Sequence, residues 1–187
     1  MNISAVLLVG GESRRMGQDK ATLIFRGKPL WQNQLDLLRT LQPEEIFISA
    51  RVDPPWRPSG VQFVSDEPPS RGPLSGLSAT LARISGDYLL ALAIDMPLMG
   101  ENYLRLICNL IEPGRGVLPM IGNCAEPLVA IYPKSTGTDF MTALSGSDFS
   151  LQSLTKRLVE AGKLSLVNVL EQEGKLFRNF NNLSDFD

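Results

Sequence analysis

The most strongly apolar run of the sequence, Tyr88 to Ile94, limits the possible folds more than any other segment. A strand without polar alternation is covered on both faces, as are the central strands of parallel sheets. Shorter apolar runs lie at Ile3 to Val9, Ile46 to Ala50 and Val61 to Val64, and a segment with helical periodicity follows the first. Strands that alternate with helices predict a doubly wound, mostly parallel α/β sheet of Rossmann type.

The remaining elements are predicted from the same periodicities and from local capping and turn signals. The prolines of segment 52–60 exclude regular structure there. Further strands are expected at 116–119, 128–132 and 164–169. Helices are expected at 30–41, from about 73 to 84, and at 103–111, 136–144 and 151–161, the last capped by Ser150.

Length and composition are those of an ordinary globular protein. We predict a single domain, residues 1–187, because this length buries a substantial core. A net charge of -2 and 43% hydrophobic residues argue against nucleic acid as a partner. No apolar run reaches the roughly 18 residues of a membrane span, and no charged leader with a cleavable apolar segment precedes the first strand. We therefore expect a cytoplasmic protein without membrane contact.

The sequence contains no histidine, which restricts its chemistry. Ser-His and Cys-His nucleophile pairs and histidine zinc sites are excluded. Cys108 and Cys124 fall in a predicted helix and a predicted loop, and we expect two free thiols. The available groups are carboxylates, Lys, Arg, hydroxyls, amides or a hard metal ion.

A glycine-rich, basic loop follows the first predicted strand. Gly10 and Gly11 allow the backbone to turn and to lie close to a bound group with its N–H dipoles exposed. Arg14, Arg15 and Lys20 place three positive charges in the same short segment, which favours a polyanion as ligand. The spacing fits neither a Walker loop nor the Gly-x-Gly-x-x-Gly of dinucleotide-binding domains. The alternative is an ordinary turn with solvated arginines.

The complete string from Leu8 to Lys20 resembles the signature L-x-G-G-x-S-x-R-M-G-x-D-K of the nucleotidyltransferases related to molybdenum cofactor guanylyltransferase. The resemblance implies that Arg15 and Lys20 are catalytic. The matching positions are Leu8, Gly10, Gly11, Ser13, Arg15, Met16, Gly17, Asp19 and Lys20. The nucleotide-binding residues implied in this segment are Leu8, Val9, Gly10, Gly11, Ser13, Arg15 and Lys20.

A second glycine-containing segment follows the third predicted strand. Gly72 and Gly76 flank Pro73 at the start of a predicted helix, where free N–H groups favour an anion or the polar edge of a ligand. A proline-containing helix entry without a ligand is the alternative. The segment resembles the G-P-L-x-G segment of the same family, which implies that Gly72, Pro73 and Gly76 form part of the guanine nucleotide pocket. Asp66 stands where the family places a nucleotide-contacting aspartate.

Asp95 comes directly after the central apolar run. Open α/β sheets bind ligands at the carboxyl ends of their strands, and a carboxylate there can hold a hard cation. Capping of the next helix is the alternative, but that helix is predicted to start only at Tyr103. Asp95 resembles the metal-binding aspartate of the family's D-x-P motif, which implies that Asp95 is catalytic, holds Mg²⁺ and contacts the nucleotide.

The implied acceptor site lies in the second half of the chain. N-x-N-x-x-x-D from Asn179 to Asp185 resembles the family's N-x-N-T segment, which implies that Asn179 and Asn181 bind the acceptor, although asparagine clusters are also typical of turns. Glu126 stands where molybdenum cofactor members often carry histidine or glutamine. A carboxylate there would repel a phosphorylated pterin unless it is paired or turned away.

The resemblance covers nearly the whole chain and implies transfer of GMP from GTP to the phosphate of molybdopterin, with release of pyrophosphate. It also suggests transient contact with molybdoenzymes or other proteins of cofactor biosynthesis. Alternatives are the related cytidylyl transfer, another nucleotidyltransferase such as one acting on a sugar phosphate, and a nucleotide-binding regulatory module without turnover. Intact Lys20 and Asp95 argue against the last. No histidine base is needed, because an acceptor phosphate already carries a nucleophilic oxygen.

Overall fold

The computed structural model describes residues 2–10, 19–66 and 70–186, and it shows a central sheet flanked by helices. The strands are β1 Ile3–Leu8, β2 Ile24–Phe25, β3 Lys28–Pro29, β4 Ile46–Ala50, β5 Gln62–Ser65, β6 Tyr88–Ala93, β7 Gly116–Ile121, β8 Cys124–Ala125, β9 Ile131–Pro133 and β10 Leu164–Asn168. The α-helices are α1 Leu30–Thr40, α2 Pro73–Leu81, α3 Glu101–Asn109, α4 Gly137–Ser145 and α5 Leu151–Glu160.

The strand order of the main sheet is β5-β4-β1-β6-β9-β7-β10, and β8 pairs with β7. Strand β9 is antiparallel to both β6 and β7, whereas β1, β4, β5 and β6 are mutually parallel. The chain runs outward from β1 to β5 and then returns across β1 to β6. This reversal creates a switch point between β1 and β6, where open α/β sheets bind ligands. The predicted mostly parallel sheet is confirmed.

Two apolar layers cover the two faces of the sheet. Successive residues of a strand point to opposite faces, and in β1 the side chains of Ala5 and Leu7 join one layer while those of Val6 and Leu8 join the other. Helices α1 and α3 contribute to the first layer, and α2, α4 and α5 contribute to the second. All six residues of β6 are buried, as the apolar run predicts for a strand covered on both faces.

Several predicted boundaries differ from the observed ones by one to three residues, and three of these differences have a local explanation. Helix α2 ends at Leu81, because the chain turns before the buried Ile84. Helix α3 begins at Glu101, whose polar side chain lies outside the apolar periodicity but suits the first turn of a helix. Strand β9 begins only at Ile131, after Pro127, which lacks the N–H that a ladder requires.

A two-residue hairpin between β2 and β3 leads into α1. Arg26 and Gly27 both have positive φ, at 53° and 79°, as a type I′ turn requires. The sequence predicts a short apolar segment from Ala21 to Phe25 and a turn at 27–29, but it does not predict the hairpin. The hairpin brings the chain from Lys20 to the start of α1, and the side chain of Asn33 fixes it by donating a hydrogen bond to the carbonyl of Phe25 at 2.7 Å.

No helix in the described ranges is long and apolar enough to cross a membrane. Both cysteines are free, as predicted, although Cys124 lies in the short strand β8 rather than in a loop.

Candidate active site

The parallel strands β5, β4, β1 and β6 end at one edge, which we call the C-terminal edge of the sheet. Backbone hydrogen bonds hold the residues that follow these strands in register. They run from Val9 N to Ser49 O at 2.9 Å, from Ile94 N to Leu8 O at 3.0 Å and from Asp66 N to Ala50 O at 3.1 Å. The predicted site residues Leu8, Val9, Asp66 and Asp95 are therefore neighbours along this edge.

Asp66 forms a tightly packed group with Ser49, Gly10 and Gly76, which we call the Asp66 cluster. Its side chain is buried, and Ser49 Oγ donates a hydrogen bond to its Oδ1 at 2.7 Å. A Cβ atom on Gly10 would lie 2.8 Å from Asp66 Oδ2, and one on Gly76 would lie 2.9 Å from Oδ1 and collide with Ser49 Oγ. Both glycines are therefore needed for the close approach of their backbones to the carboxylate.

Burial raises the pKa of Asp66, although the hydrogen bond from Ser49 and the charge of Arg51 oppose that shift. The cluster thus presents a carboxylate whose charge is incompletely compensated and which suits a ligand with N–H or O–H donors. Sequence reasoning missed Ser49. The available signal was a polar residue within the otherwise apolar strand β4, which is buried throughout.

Gly72 and Pro73 start helix α2, which carries Gly76 to Asp66. Gly72 has φ 65° and ψ -145°, a backbone conformation that residues with a side chain rarely adopt. Pro73 occupies the first helical position, and Ser75 Oγ accepts a hydrogen bond from Arg71 N at 2.8 Å. The structure thus brings Gly72, Pro73 and Gly76 to one end of the helix, beside the Asp66 cluster.

Lys20, Asp95 and Asn181 form a second group, the Lys20 cluster. Lys20 Nζ lies 3.6 Å from Asp95 Oδ2 and donates a hydrogen bond to Asn181 Oδ1 at 3.1 Å. The side chains of Lys20 and Asp95 are 16% and 27% exposed, so that both remain accessible to a ligand. Three segments that are far apart in the sequence thus meet at the C-terminal edge.

The position of Asp95 excludes the capping alternative. Gly100 is the N-cap of α3, and within the described ranges no backbone N–H donates to the Asp95 carboxylate. Its own carbonyl accepts a hydrogen bond from Phe180 N at 2.8 Å, which fixes the C-terminal segment against the end of β6. The buried Gln34 supports the next residue, because its Nε2 donates to Met96 O at 2.8 Å.

Asp185 folds the C-terminal segment that carries Asn181. Its Oδ2 accepts hydrogen bonds from the backbone N–H groups of Asn181 and Asn182, both at 2.9 Å, and its Oδ1 pairs with Arg178. These backbone hydrogen bonds lower the pKa of Asp185. Asn179, by contrast, is exposed and makes no side-chain hydrogen bond within the described ranges, so the structure does not bring it into the Lys20 cluster.

Glu126 lies beside Asp95, a relation that sequence reasoning missed. The antiparallel register of β6 and β9 pairs Leu90 with Ile131, and it continues through a hydrogen bond from Ala93 N to Leu128 O. The chain then turns from Glu126 to Val129, and the side chain of Glu126 comes close enough to Asp95 for the two carboxylates to interact. Burial and then the charge of Asp95 raise the pKa of Glu126, while the hydrogen bond from Leu128 N to its Oε1 opposes them.

Gly11, Ser13 and Arg15 lie outside the described residues, as does the rest of segment 11–18. Their predicted roles therefore stay predictions. The described chain resumes at Asp19, whose Oδ1 accepts a hydrogen bond from Ala21 N at 3.0 Å and caps a short 3-10 turn at Lys20–Thr22. Within the described part of the chain, no three His, Cys, Asp or Glu side chains are arranged to hold a metal ion by themselves.

Comparison with known proteins identifies the family to which the chain belongs. The MobA-like NTP transferase domain matches residues 5–161. The chain belongs to this family. A relative from Opitutus terrae, named probable molybdenum cofactor guanylyltransferase, is 32% identical over 99% of this chain and 93% of its own length.

Solved structures of the family's fold resemble the chain over most of its length. Molybdopterin-guanine dinucleotide biosynthesis protein A from Archaeoglobus fulgidus has a TM-score of 0.78 and 21% identity, over 98% of this chain and 94% of that one. Rv0371c from Mycobacterium tuberculosis, solved in complex with manganese, has a TM-score of 0.64 and 16% identity, over 91% and 90% of the two chains. At these identities the likeness shows the fold.

The close packing at Gly76 predicts that a side chain at this position lowers the stability of the folded protein. Gly76→Ala gains about 1 kcal/mol of helix propensity, but the added methyl overpacks the Asp66 cluster, which typically costs 1–3 kcal/mol. We expect a net loss of about 1 kcal/mol in the free energy of unfolding, measured by urea denaturation. The matched control is Gly137→Ala in α4, where a Cβ would meet Leu81 at an ordinary 3.7 Å. Equal stability of the two variants would contradict this packing.

The raised pKa of Asp66 predicts a pH-dependent effect of Asp66→Asn. Because the folded state favours the protonated acid, the contribution of Asp66 to stability is greatest below its unfolded pKa and falls as the pH rises through the folded pKa. Asparagine still accepts from Ser49 but cannot ionise. We expect Asp66→Asn to melt at a higher temperature than wild type near about pH 8, with a difference that shrinks towards about pH 4.

The matched control for this titration is Asp53→Asn. The hydrogen-bonded Arg57 lowers the pKa of Asp53, so this carboxylate stabilises the folded state above its unfolded pKa. Asp53→Asn should therefore lower the melting temperature at neutral pH, and this loss should vanish in acid. If both variants shift in the same direction, the charge of Asp66 is not a cost to folding.

Proposed function

We propose that this chain transfers GMP from GTP to the terminal phosphate of molybdopterin, forming the guanine dinucleotide cofactor and pyrophosphate. The observation that carries the proposal is the meeting of Lys20, Asp95 and Asn181 beside the Asp66 cluster, at the switch point of the sheet. Membership of the MobA-like NTP transferase family and the name of the Opitutus terrae relative support the choice of reaction.

Electrostatics at the C-terminal edge orient the nucleotide. The carboxylate of Asp66 suits the N–H and O–H donors of a nucleoside and repels phosphates. The ammonium group of Lys20 attracts phosphates, and it lies on the other side of β1, at the end of β6. GTP is therefore expected to place its nucleoside near Asp66, Gly72 and Gly76, and its phosphates near Lys20.

A divalent cation, which we propose to be Mg²⁺, fits the residues at this edge. Asp95 is a partly exposed carboxylate at a strand end, and Glu126 lies within electrostatic range of it. Mg²⁺ is commonly held by one or two carboxylates together with substrate phosphates, so a full cage of protein ligands is not required. When bound, the ion would supply charge neutralisation and polarisation at the α-phosphate.

The side chains of the protein mainly bind and orient the substrates and neutralise the charge of their phosphates. Lys20 is balanced by Asp95 in the absence of substrate and can stabilise negative charge that develops on the phosphates. Asn181 ties the C-terminal segment to Lys20 and so can position the acceptor phosphate against the same group. We propose that Arg15 adds a second positive charge. No base is required, because the attacking oxygen is already anionic.

The sheet extends through both halves of the chain, which supports the proposal that residues 1–187 form one domain. Strands β1 and β6 meet the strands of the second half through β9. Both apolar layers contain residues from the two halves.

The test of the proposed function is pyrophosphate release from GTP, CTP or ATP with the molybdenum-loaded cofactor as acceptor. We expect release with GTP, and a dinucleotide product whose mass includes GMP. Faster release with CTP would assign the chain to cytidylyl transfer. Binding of GTP without release in the presence of the acceptor would favour a regulatory module.

Asp95→Asn is expected to lower turnover strongly while GTP still binds. The substitution preserves shape but removes the charge proposed to hold the cation, and the loss of such a contact typically costs about a hundredfold in rate. Steady-state pyrophosphate release and calorimetric titration with GTP measure the two effects separately.

The matched control is Asp87→Asn, which changes the aspartate directly before β6, at the opposite end of the same strand. Asp87 is exposed and accepts a hydrogen bond from Asn2 N. We expect this variant to turn over at the wild-type rate. Near-normal turnover of a folded Asp95→Asn variant would refute the metal assignment.

A further inference from the structure

The two tryptophans of the sequence are stacked beside the Lys20 turn. Trp31 lies in the first turn of α1, and Trp56 lies in the loop after β4. Their ring centroids are 5.2 Å apart and their planes differ by 13°. The indole Nε1 of Trp56 donates a hydrogen bond to Asp19 Oδ2 at 3.2 Å.

Asp19 connects this tryptophan to the residue that we assign to phosphate binding. Its second oxygen, Oδ1, accepts from Ala21 N, and its carbonyl accepts from Thr22 N at 3.0 Å and Thr22 Oγ1 at 2.8 Å. These bonds enclose Lys20 in a short turn. Both oxygens of the Asp19 carboxylate are thus bound by other partners, and the ammonium group of Lys20 contacts Asp95 and Asn181 instead.

The loop that carries Trp56 is stiffened by its own residues. Pro54, Pro55 and Pro58 restrict the backbone. Arg57 forms a two-pronged ion pair with Asp53, at 2.7 and 2.8 Å, and donates to the carbonyl of Val61 at 2.6 Å. A donor on a stiff loop loses little entropy when it forms its hydrogen bond.

We propose that Trp56 is a positioning residue for Lys20. Supported by its stack on Trp31, it holds the carboxylate of Asp19 and thereby fixes the turn from which Lys20 reaches the phosphates. The proposal rests on the proposed function, because it gives Lys20 a role at the transferred phosphate. Lys20 stabilises charge that develops in the transition state, so misplacement reduces kcat more than the affinity for GTP.

The decisive variant is Trp56→Phe, which keeps an aromatic ring in the stack and removes the donor. We expect kcat for pyrophosphate release to fall about tenfold, because small displacements of a catalytic group have effects of this order. The GTP dissociation constant and the melting temperature should stay close to wild type. Val52→Ala, at a residue that is 77% exposed in the same loop, is the matched control and should behave as wild type.

A double-mutant cycle tests whether Trp56 acts through Asp19. Asp19→Asn retains an oxygen for Ala21 N, but its amide NH₂ cannot accept from the indole. Trp56→Phe combined with Asp19→Asn should lower kcat no further than Asp19→Asn alone. If the two substitutions lower kcat by factors that multiply, the proposal is overturned. It is also overturned, in favour of simple packing, if Trp56→Phe reduces stability and GTP affinity as much as it reduces kcat.

A spectroscopic readout separates this proposal from the proposed function. The protein has two indole N–H signals in a ¹⁵N–¹H spectrum, and the Trp31→Phe and Trp56→Phe variants assign them. Asp19→Asn should move the Trp56 signal much more than the Trp31 signal, and GTP with Mg²⁺ should move it in the wild type. An unmoved Trp56 signal in both experiments refutes the contact. A wild type that binds GTP but releases no pyrophosphate with the acceptor refutes the function alone.

Discussion

The parallel pairing of β1 with β6 is the constraint on which the rest of the site depends. The register pairs Leu8 with Ala93, so that Gly10 after β1 and Asp95 after β6 follow adjacent strand ends. Both strands are almost entirely buried, and their alternating side chains join the apolar layers on the two faces. A shift of one residue in this register would exchange those faces and expel apolar side chains from the core. The stability of the core therefore fixes the geometry of the site.

Charge at the same edge affects how a polyanionic substrate can bind there. Asp95 and Glu126 lie close together where the phosphates are proposed to bind, and burial together with the charge of Asp95 raises the pKa of Glu126. Lys20 balances one negative charge at 3.6 Å. A triphosphate would add several negative charges to this environment. A divalent cation held by these carboxylates would offset the repulsion between them and the phosphates.

The sequence predicts the parts of the site that depend on local pattern. The apolar run of β6 identifies both the central strand and Asp95 at its end, and the helical start at Pro73 follows from a local signal. Ser49, Trp56 and the proximity of Glu126 to Asp95 were missed because they depend on contacts between distant segments. The approach of Glu126 to Asp95 depends on the turn from Glu126 to Val129, which hydrophobic periodicity does not encode. The bond between Trp56 and Asp19 likewise depends on how the loop after β4 folds back.

The two halves of the candidate site are held by different kinds of interaction. The residues proposed to bind the nucleotide follow paired strands of the sheet or start a helix packed on it, so their positions are set by the core. Asn181 lies on a segment held by the carboxylate of Asp185 and by edge-on contacts of Phe180 with Phe25 and Phe186. Short-range anchors of this kind can change without disturbing the sheet. The acceptor side can therefore change with less disturbance of the sheet than the nucleotide side.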